Sequence, residues 1–128
     1  FTGTYISYCF KSIQGYSKFG SYTGNGNADG PFVYTGMKPA LVITKPTSAS
    51  GNWNINDSAR SPENVVDERL IINSSNAESD SDAIDFLSNG FKIRTSGTSY
   101  NGSGDTYIYM AFAEHPFVSS KGVPTTAR

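Results

Sequence analysis

Apolar and polar residues alternate with a period of two along most of the chain. That period marks strands with one covered face. In residues 4–10, TYISYCF, the side chains of Ile6, Tyr8 and Phe10 fall on one side and those of Tyr5, Ser7 and Cys9 on the other. Residues 106–112, TYIYMAF, repeat the phrase, with Ile108, Met110 and Phe112 on one side and Tyr107, Tyr109 and Ala111 opposite. The chain between the two copies does not repeat, so the pair predicts two equivalent closing strands rather than two domains. The expectation is that both lie in one sheet, with Ile6, Tyr8 and Phe10 facing the same core as Ile108, Met110 and Phe112. Residues 1–10 would then be a seam with an upstream unit.

Further strands follow from the same pattern. PFVYTG reads as a strand with Pro31 at its start, where no ladder donor is needed. KPALVITKP reads as another, and its apolar run 40–43 suggests burial on both faces. In GNWNIND, Trp53 and Ile55 alternate with Asn52, Asn54 and Asn56, which predicts an apolar inner face and an amide-rich outer one. AIDFLSNGFKIRT reads as a hairpin turning at Asn89-Gly90 in type I′ geometry, with Phe86 opposite Ile93 and Asp85 opposite Arg94. Residues 23–30 (TGNGNADG), 73–82 (NSSNAESDSD) and 96–105 (SGTSYNGSGD) read as loops. Ser61-Pro62-Glu63 has the cap, first-position proline and acid of a short helical turn, with Val65, Val66 and Leu70 roughly on one side. Short strands separated by turns, with little helix, predict an all-β fold: an antiparallel β-sandwich of jelly-roll or lectin-like type over residues 11–118. Residues 119–128 read as a loosely held tail.

Composition narrows the function. The chain has 128 residues, enough for one domain with a real core. Aromatic residues make up 13% and glycines number 13, which suits a turn-rich sheet protein. Ten Lys and Arg face eleven Asp and Glu, for a net charge of −1. This is not the clustered basic surface that nucleic acid or an anionic membrane requires. No apolar stretch approaches the roughly 20 residues of a membrane helix. Neither a nucleic-acid partner nor membrane insertion is expected. The single cysteine, Cys9, has no internal disulfide partner, and with one histidine it makes no zinc site. The chain opens at Phe1, inside a patterned segment, which suggests a longer polypeptide.

Four stretches together carry a family resemblance: residues 9–45 (CFKSIQGYSKFGSYTGNGNADGPFVYTGMKPALVITK), NWNINDSARSPENVV, AIDFLSNGFKIRTSG and GDTYIYMAFAEHPF. The run from about Cys9 to Phe117 resembles a module of tailed-bacteriophage structural proteins, found in tail-fibre-like and other virion proteins, often at the C-terminus. The specific part is the combination of GSYTGNGNADGPFVYTG, LSNGFKIR and TYIYMAFAE. The resemblance implies a β-sandwich at the virion surface, in contact with other virion proteins. It also implies a homo-oligomer, a trimer as in many phage fibres, and it carries no catalytic or metal motif with it. In related proteins the TYI-x-x-x-F phrase closes one β unit before the next begins. The expected function is a non-enzymatic structural or adhesion module, as a head fibre, a capsid decoration or a tail-fibre domain. Two alternatives stand beside it: a carbohydrate-binding receptor-recognition domain for host surface glycan, and a polysaccharide depolymerase.

Candidate chemistry is sparse. His115, in AEHPF at a strand end, suits a surface role better than that of a placed base. Cys9 alternates into a strand face, where a thiol packs as a small hydrophobe. Asp57, Glu63, Asp67, Glu68, Glu78, Asp80, Asp82 and Asp85 supply carboxylates, but no spacing singles out a hydrolytic pair. Asn25, Asn27 and Asp29 alternate in one loop and Glu78, Asp80 and Asp82 in another, as calcium ligands can, yet plain turn chemistry explains both. No metal or cofactor is expected. Among ligand chemistries sugar recognition fits best, because a pyranose face stacks on a flat aromatic ring while amides and carboxylates fix its hydroxyls, though the plainer reading is that Trp53 is buried with Ile55 and the Asn face is merely wet. Trp53 with Asn54, Asn56 and Asp57, and Tyr100 with Asn101, have those types. Arg60 follows Asp57 by three residues and should clasp it at the corner.

Overall fold

A computed structural model describes residues 3–116, with Asp82 by its backbone only. The chain forms eight strands and one turn of helix. They are β1 (Ser17–Thr23), β2 (Phe32–Tyr34), β3 (Pro39–Pro46), β4 (Asn54–Asp57), β5 (Val66–Ile71), β6 (Ser79–Leu87), β7 (Gly90–Ile93), α1 (Thr98–Asn101) and β8 (Thr106–Ala113). All eight strands belong to one sheet in the order β1-β8-β3-β4-β5-β6-β7-β2, and every pairing is antiparallel. The expected all-β antiparallel class is the observed one.

The sheet curls until its halves meet, giving a nearly closed, sandwich-like body. The ring of Phe91 on β7 lies 6.1 Å from Tyr22 on β1 and 5.3 Å from Tyr109 on β8, edge to face in both cases. Tyr22 and Tyr107 stack at 5.0 Å. Around them Val33, Val42, Val66, Ile84, Phe86, Ile93 and Ala111 complete the core. Curling leaves little room for a second layer, so large flat rings fill the interior. Each buried aromatic side chain removes about 150–250 Å² from water.

Several expectations change. Residues 4–10 are not a strand, and their side chains are exposed. The account of TYISYCF as a second closing strand in the sheet therefore fails. On β8 the faces are reversed: Tyr107, Tyr109 and Ala111 point inward, and Ile108, Met110 and Phe112 point out. β4 is reversed in the same way, with Asn54 and Asn56 buried and Ile55 half-buried outside. A period of two reveals two faces; it does not say which one is inside when both carry large or hydrogen-bonding groups. β3 buries Val42 and Thr44, while Leu41 and Ile43 stay half-exposed on the outer face, so it is not covered on both sides.

The β6–β7 hairpin turns at Ser88-Asn89, pairing Phe86 with Phe91 and Asp85 with Lys92. No described non-glycine residue has positive φ, so the turn is not type I′, which requires it at both central positions. The register differs from the expected one by two residues, which keeps every side chain on its predicted face. Asp85 still meets Arg94 diagonally, at 3.3 Å. β6 begins at Ser79, inside the stretch read as an acidic loop, and α1 lies inside another. β1, never singled out in the sequence, is a full strand of seven residues. Ser61 caps no helix. Its Oγ donates to Asp67 Oδ1 at 2.9 Å and accepts from Glu68 N at 3.0 Å, which ties the corner to β5. The tail at 119–128 lies outside the described residues.

Candidate functional site

The polar chemistry of the molecule gathers around α1. This single turn plugs one end of the curled sheet and points Tyr100 and Asn101 inward, both almost wholly buried. Tyr100 Oη donates to Asn56 Oδ1 at 2.8 Å, and Asn56 Nδ2 donates to the Glu68 carbonyl at 3.1 Å. Asn54 Nδ2 reaches the Ser99 carbonyl at 3.2 Å. Tyr22 Oη donates to the Tyr100 carbonyl at 2.8 Å, and Tyr107 Oη donates to the Thr98 carbonyl at 2.5 Å while accepting from Gly102 N at 2.7 Å. Three of the four carbonyls of the short helix, those of Thr98, Ser99 and Tyr100, thus accept from a side chain, which an isolated turn lacks.

Asn101 links the same turn to the 23–30 loop. Its Oδ1 accepts from Asn25 N at 2.8 Å, and its Nδ2 lies 2.7–2.9 Å from Asn25 Oδ1, the Asn27 carbonyl and the Thr95 carbonyl. Within the loop, Asn25 Oδ1 accepts from Asn27 N, and Asn27 Oδ1 accepts from Asp29 N, both at 2.9 Å. The Asn25 and Asn27 side-chain oxygens considered for calcium are thus engaged in turn bonds, and the Asp29 carboxylate lies 2.7 Å from Lys92 Nζ. Among the described residues no cluster of three or more His, Cys, Asp or Glu is placed to hold a metal.

The six residues proposed from sequence for sugar recognition do not form one surface. Asn54, Asn56, Tyr100 and Asn101 are at most 2% exposed, with their polar groups turned to internal partners. Trp53 is half-buried on the outer face beside Ile55. Asp57 sits at the corner, as the spacing to Arg60 predicted: its Oδ2 lies 2.6 Å from Arg60 Nε, and its Oδ1 accepts from the backbone N–H of Ala59 and Arg60. Burial alone would raise the Asp57 carboxyl. The Arg60 backbone and guanidinium bonds outweigh it and hold the group below the usual carboxylate range. Arg60 Nη1 also pairs with Glu78, and a shallow cleft of about 460 Å³ opens beside it, lined by Arg60, Ser61, Asn64, Asp67 and Glu68. There a hydrogen bond to the Glu78 carboxyl raises Glu68 above its ordinary value.

One cavity lies on the inner side of the sheet. It measures about 250 Å³ and is lined by Arg69, Ser81, Thr95, Gly97, Ser99 and Tyr100. Arg69 pairs across the sheet with Asn56 and points into the body. Its Nη2 donates to Ser79 Oγ at 3.1 Å. Its Nε is a buried atom with no hydrogen-bond partner in the protein, and the Ser81 hydroxyl lies beside the Tyr100 phenol. A guanidinium and a hydroxyl side chain at the wall of one pocket suit a small anionic group. Sequence reading missed Arg69. In VDERL it looks like a solvated charge, and the irregularity between Val66 and Glu68 shifts the alternation so that Val66 and Arg69 both face in. Burial pushes the Tyr100 phenol beside this cavity up to about 12.

No curated protein and no solved structure matches the chain. Residues 1–116 match one family over almost the whole described length, and the chain belongs to it: DUF7483, a domain of unknown function.

Proposed function

We propose that this domain is a non-enzymatic structural and adhesion module of a tailed-bacteriophage particle, displayed at the virion surface as a head fibre, a capsid decoration or a tail-fibre domain. In this role it contacts other virion proteins and works as a homo-oligomer, a trimer by the family resemblance. The observation that supports the reading most is the outer face of the sheet. There Phe19, Met110, Ile43, Ile55 and Leu70 stand side by side across five strands. A sheet that is free on one side carries polar residues there, whereas an apolar outer face suits a module built into an assembly. Mass spectrometry and immuno-electron microscopy of gradient-purified particles test the role. The expected result is a constant copy number per particle and label on the particle surface. Absence from purified particles overturns the reading.

The Arg69 cavity favours a second reading, recognition of an acidic carbohydrate on the host surface. The carboxylate or sulfate of such a sugar would pair with the Arg69 guanidinium at the wall of this pocket, beside Ser81. Titration calorimetry with glucuronic acid and with glucose checks it. Heat is expected for the acid alone, and it should vanish in Arg69→Gln and weaken in Ser81→Ala. Equal silence toward both sugars removes this reading. A reducing-end assay on host polysaccharide tests the remaining alternative, depolymerisation, and no release of ends is expected.

A further inference from the structure

The register of the sheet puts a continuous apolar line on its outside. Phe19 pairs with Met110, Met110 with Ile43, Ile43 with Ile55, and Ile55 with Leu70. Cross-strand partners share a face. Strands β1, β8, β3, β4 and β5 therefore each contribute one apolar side chain to a single row. The neighbours in sequence, Tyr109, Val42, Thr44, Asn54 and Asn56, are the ones buried inside, so the row faces out. Phe112 and Leu41 extend it on one flank and Ile108 on the other. None of these residues is charged, and the row is bounded by Lys45, cross-strand to Ile108, and Asp57, cross-strand to Leu41.

The same chain carries an apolar segment that its own body leaves bare. The Phe10 ring lies at one end of the row, 5.7 Å from Phe19 and 6.3 Å from Phe112. Ahead of it, Tyr5, Ile6 and Tyr8 are 75%, 82% and 80% exposed. A short hairpin in which Ile13 and Ser17 exchange backbone hydrogen bonds at 2.9 Å carries this arm to the edge of β1. Residues 4–10 contain no charge.

We infer that the outer row is an interface between copies of this chain, with the 4–10 arm of each copy lying over the row of the next around a ring. The occupant is a second copy because both halves of the contact, an uncharged aromatic arm and an uncharged apolar row, reside on the same molecule. Area supports the assignment. At these exposures the apolar arm residues bring about 500 Å² per copy. One arm, with the similar surface it covers, reaches the roughly 1,000 Å² that a specific interface needs. An arm-to-row contact is head-to-tail, and head-to-tail contacts close into rings such as a trimer. The likeness of TYISYCF to TYIYMAF then has a physical sense: the arm offers the outer-face chemistry of β8 to a surface that β8 itself helps to build.

This inference gives the proposed structural role a partner and rests on that reading for its setting, yet it is tested on the protein alone. The oligomer can fail with virion location intact, and the reverse. Sedimentation velocity and light scattering between about 1 and 100 µM cover the range in which an interface of this size associates. Three times the chain mass is expected. Ile43→Lys with Met110→Lys places two charges in the row at outward positions and should give the mass of one chain. A Tyr5→Ser, Ile6→Ser, Tyr8→Ser variant changes only exposed side chains, cannot disturb the core, and should do the same. Circular dichroism melts confirm that both variants are folded. A monomer at every concentration overturns the inference. So does an oligomer that survives both variants, and an oligomer that survives loss of the arm overturns the assignment of its occupant.

Discussion

Tyr100 Oη donates to Asn56 Oδ1 at 2.8 Å, and through this bond a four-residue helix is locked to the central strand β4. Both residues are at most 2% exposed. Asn56 then passes the connection to β5 through the Glu68 carbonyl. The relationship explains how so short a helix persists, since a single turn is unstable by itself and here nearly all its support is tertiary. Tyr100→Phe keeps the ring and leaves the Asn56 carbonyl oxygen without its donor. The expected loss is about 1–3 kcal/mol, the penalty of an unsatisfied buried acceptor. Urea unfolding measures it, and a change below about 0.5 kcal/mol would mean that the bond contributes nothing net.

Two glycines should respond to alanine for different reasons. At Gly24 a Cβ would lie 2.2 Å from the Gly102 carbonyl oxygen and 2.9 Å from the Asn101 carbonyl carbon, so backbone would meet backbone. At Gly104 nothing lies within 4 Å, but φ is +79°. Gly24→Ala is expected to destabilise by more than about 2 kcal/mol, because the 23–30 loop must separate from α1, as in overpacked cores. Gly104→Ala carries only the left-handed penalty of about 1 kcal/mol. Thermal melts rank the pair, and hydrogen exchange at Asn25 N should rise in the first variant alone.

These contacts mark the boundary of what the sequence makes legible. The alternation in KPALVITKP, PFVYTG and TYIYMAF locates three strands and the antiparallel class without help. It does not choose between the two faces of TYIYMAF, because Tyr107 and Tyr109 are as large as Met110 and Phe112. What decides is the curl of the sheet, which needs rings inside and hydroxyls that can reach α1. The same holds for NWNIND. An amide ladder looks wet until a helix supplies Tyr100 and Ser99 as its partners. Those partners lie more than 40 residues away, beyond any local pattern. The Asp57–Arg60 clasp was legible because it is local, three residues apart on one corner. Arg69 was not, since an irregularity in the β5–β6 pairing turns it inward.

The clasp gives a prediction with a definite sign in acid. Asp57 is held below the usual carboxylate range by the Arg60 bonds, against its own burial. A depressed carboxylate contributes stability above the unfolded value of about 3.9 and loses it as pH falls through the lower folded one. Glu68 works in the opposite sense. Its hydrogen bond to Glu78 raises it, so its contribution weakens as pH rises above the ordinary glutamate range. Asp57→Asn should lower stability by about 1 kcal/mol at neutral pH, through the weakened corner bonds. It should also flatten the fall in melting temperature below about pH 4. Melting curves from acid to neutral pH compare the two proteins, and parallel curves would assign the acid sensitivity to other groups.

At high pH the interior tyrosines set the limit. Burial raises Tyr22, Tyr100, Tyr107 and Tyr109, Tyr100 to about 12, and the charges of Tyr107 and Tyr100 add to the effect at Tyr22. The fold therefore favours the neutral phenol. The unfolded chain releases these protons near pH 10, so the stability they contribute is complete below about pH 10 and is lost as pH rises through the folded values. Phenolate absorbance should accordingly appear in two stages. The second should coincide with loss of the near-ultraviolet circular dichroism that reports the stacked Tyr22–Tyr107 pair. Tyr22→Phe keeps the stack and removes one of the strongest of these groups, along with its bond to the Tyr100 carbonyl. It should be less stable by about 1 kcal/mol at neutral pH, yet lose stability less steeply above pH 10. An unfolding midpoint that moves to lower pH with an unchanged slope would show that Tyr22 ionisation does not drive alkaline unfolding.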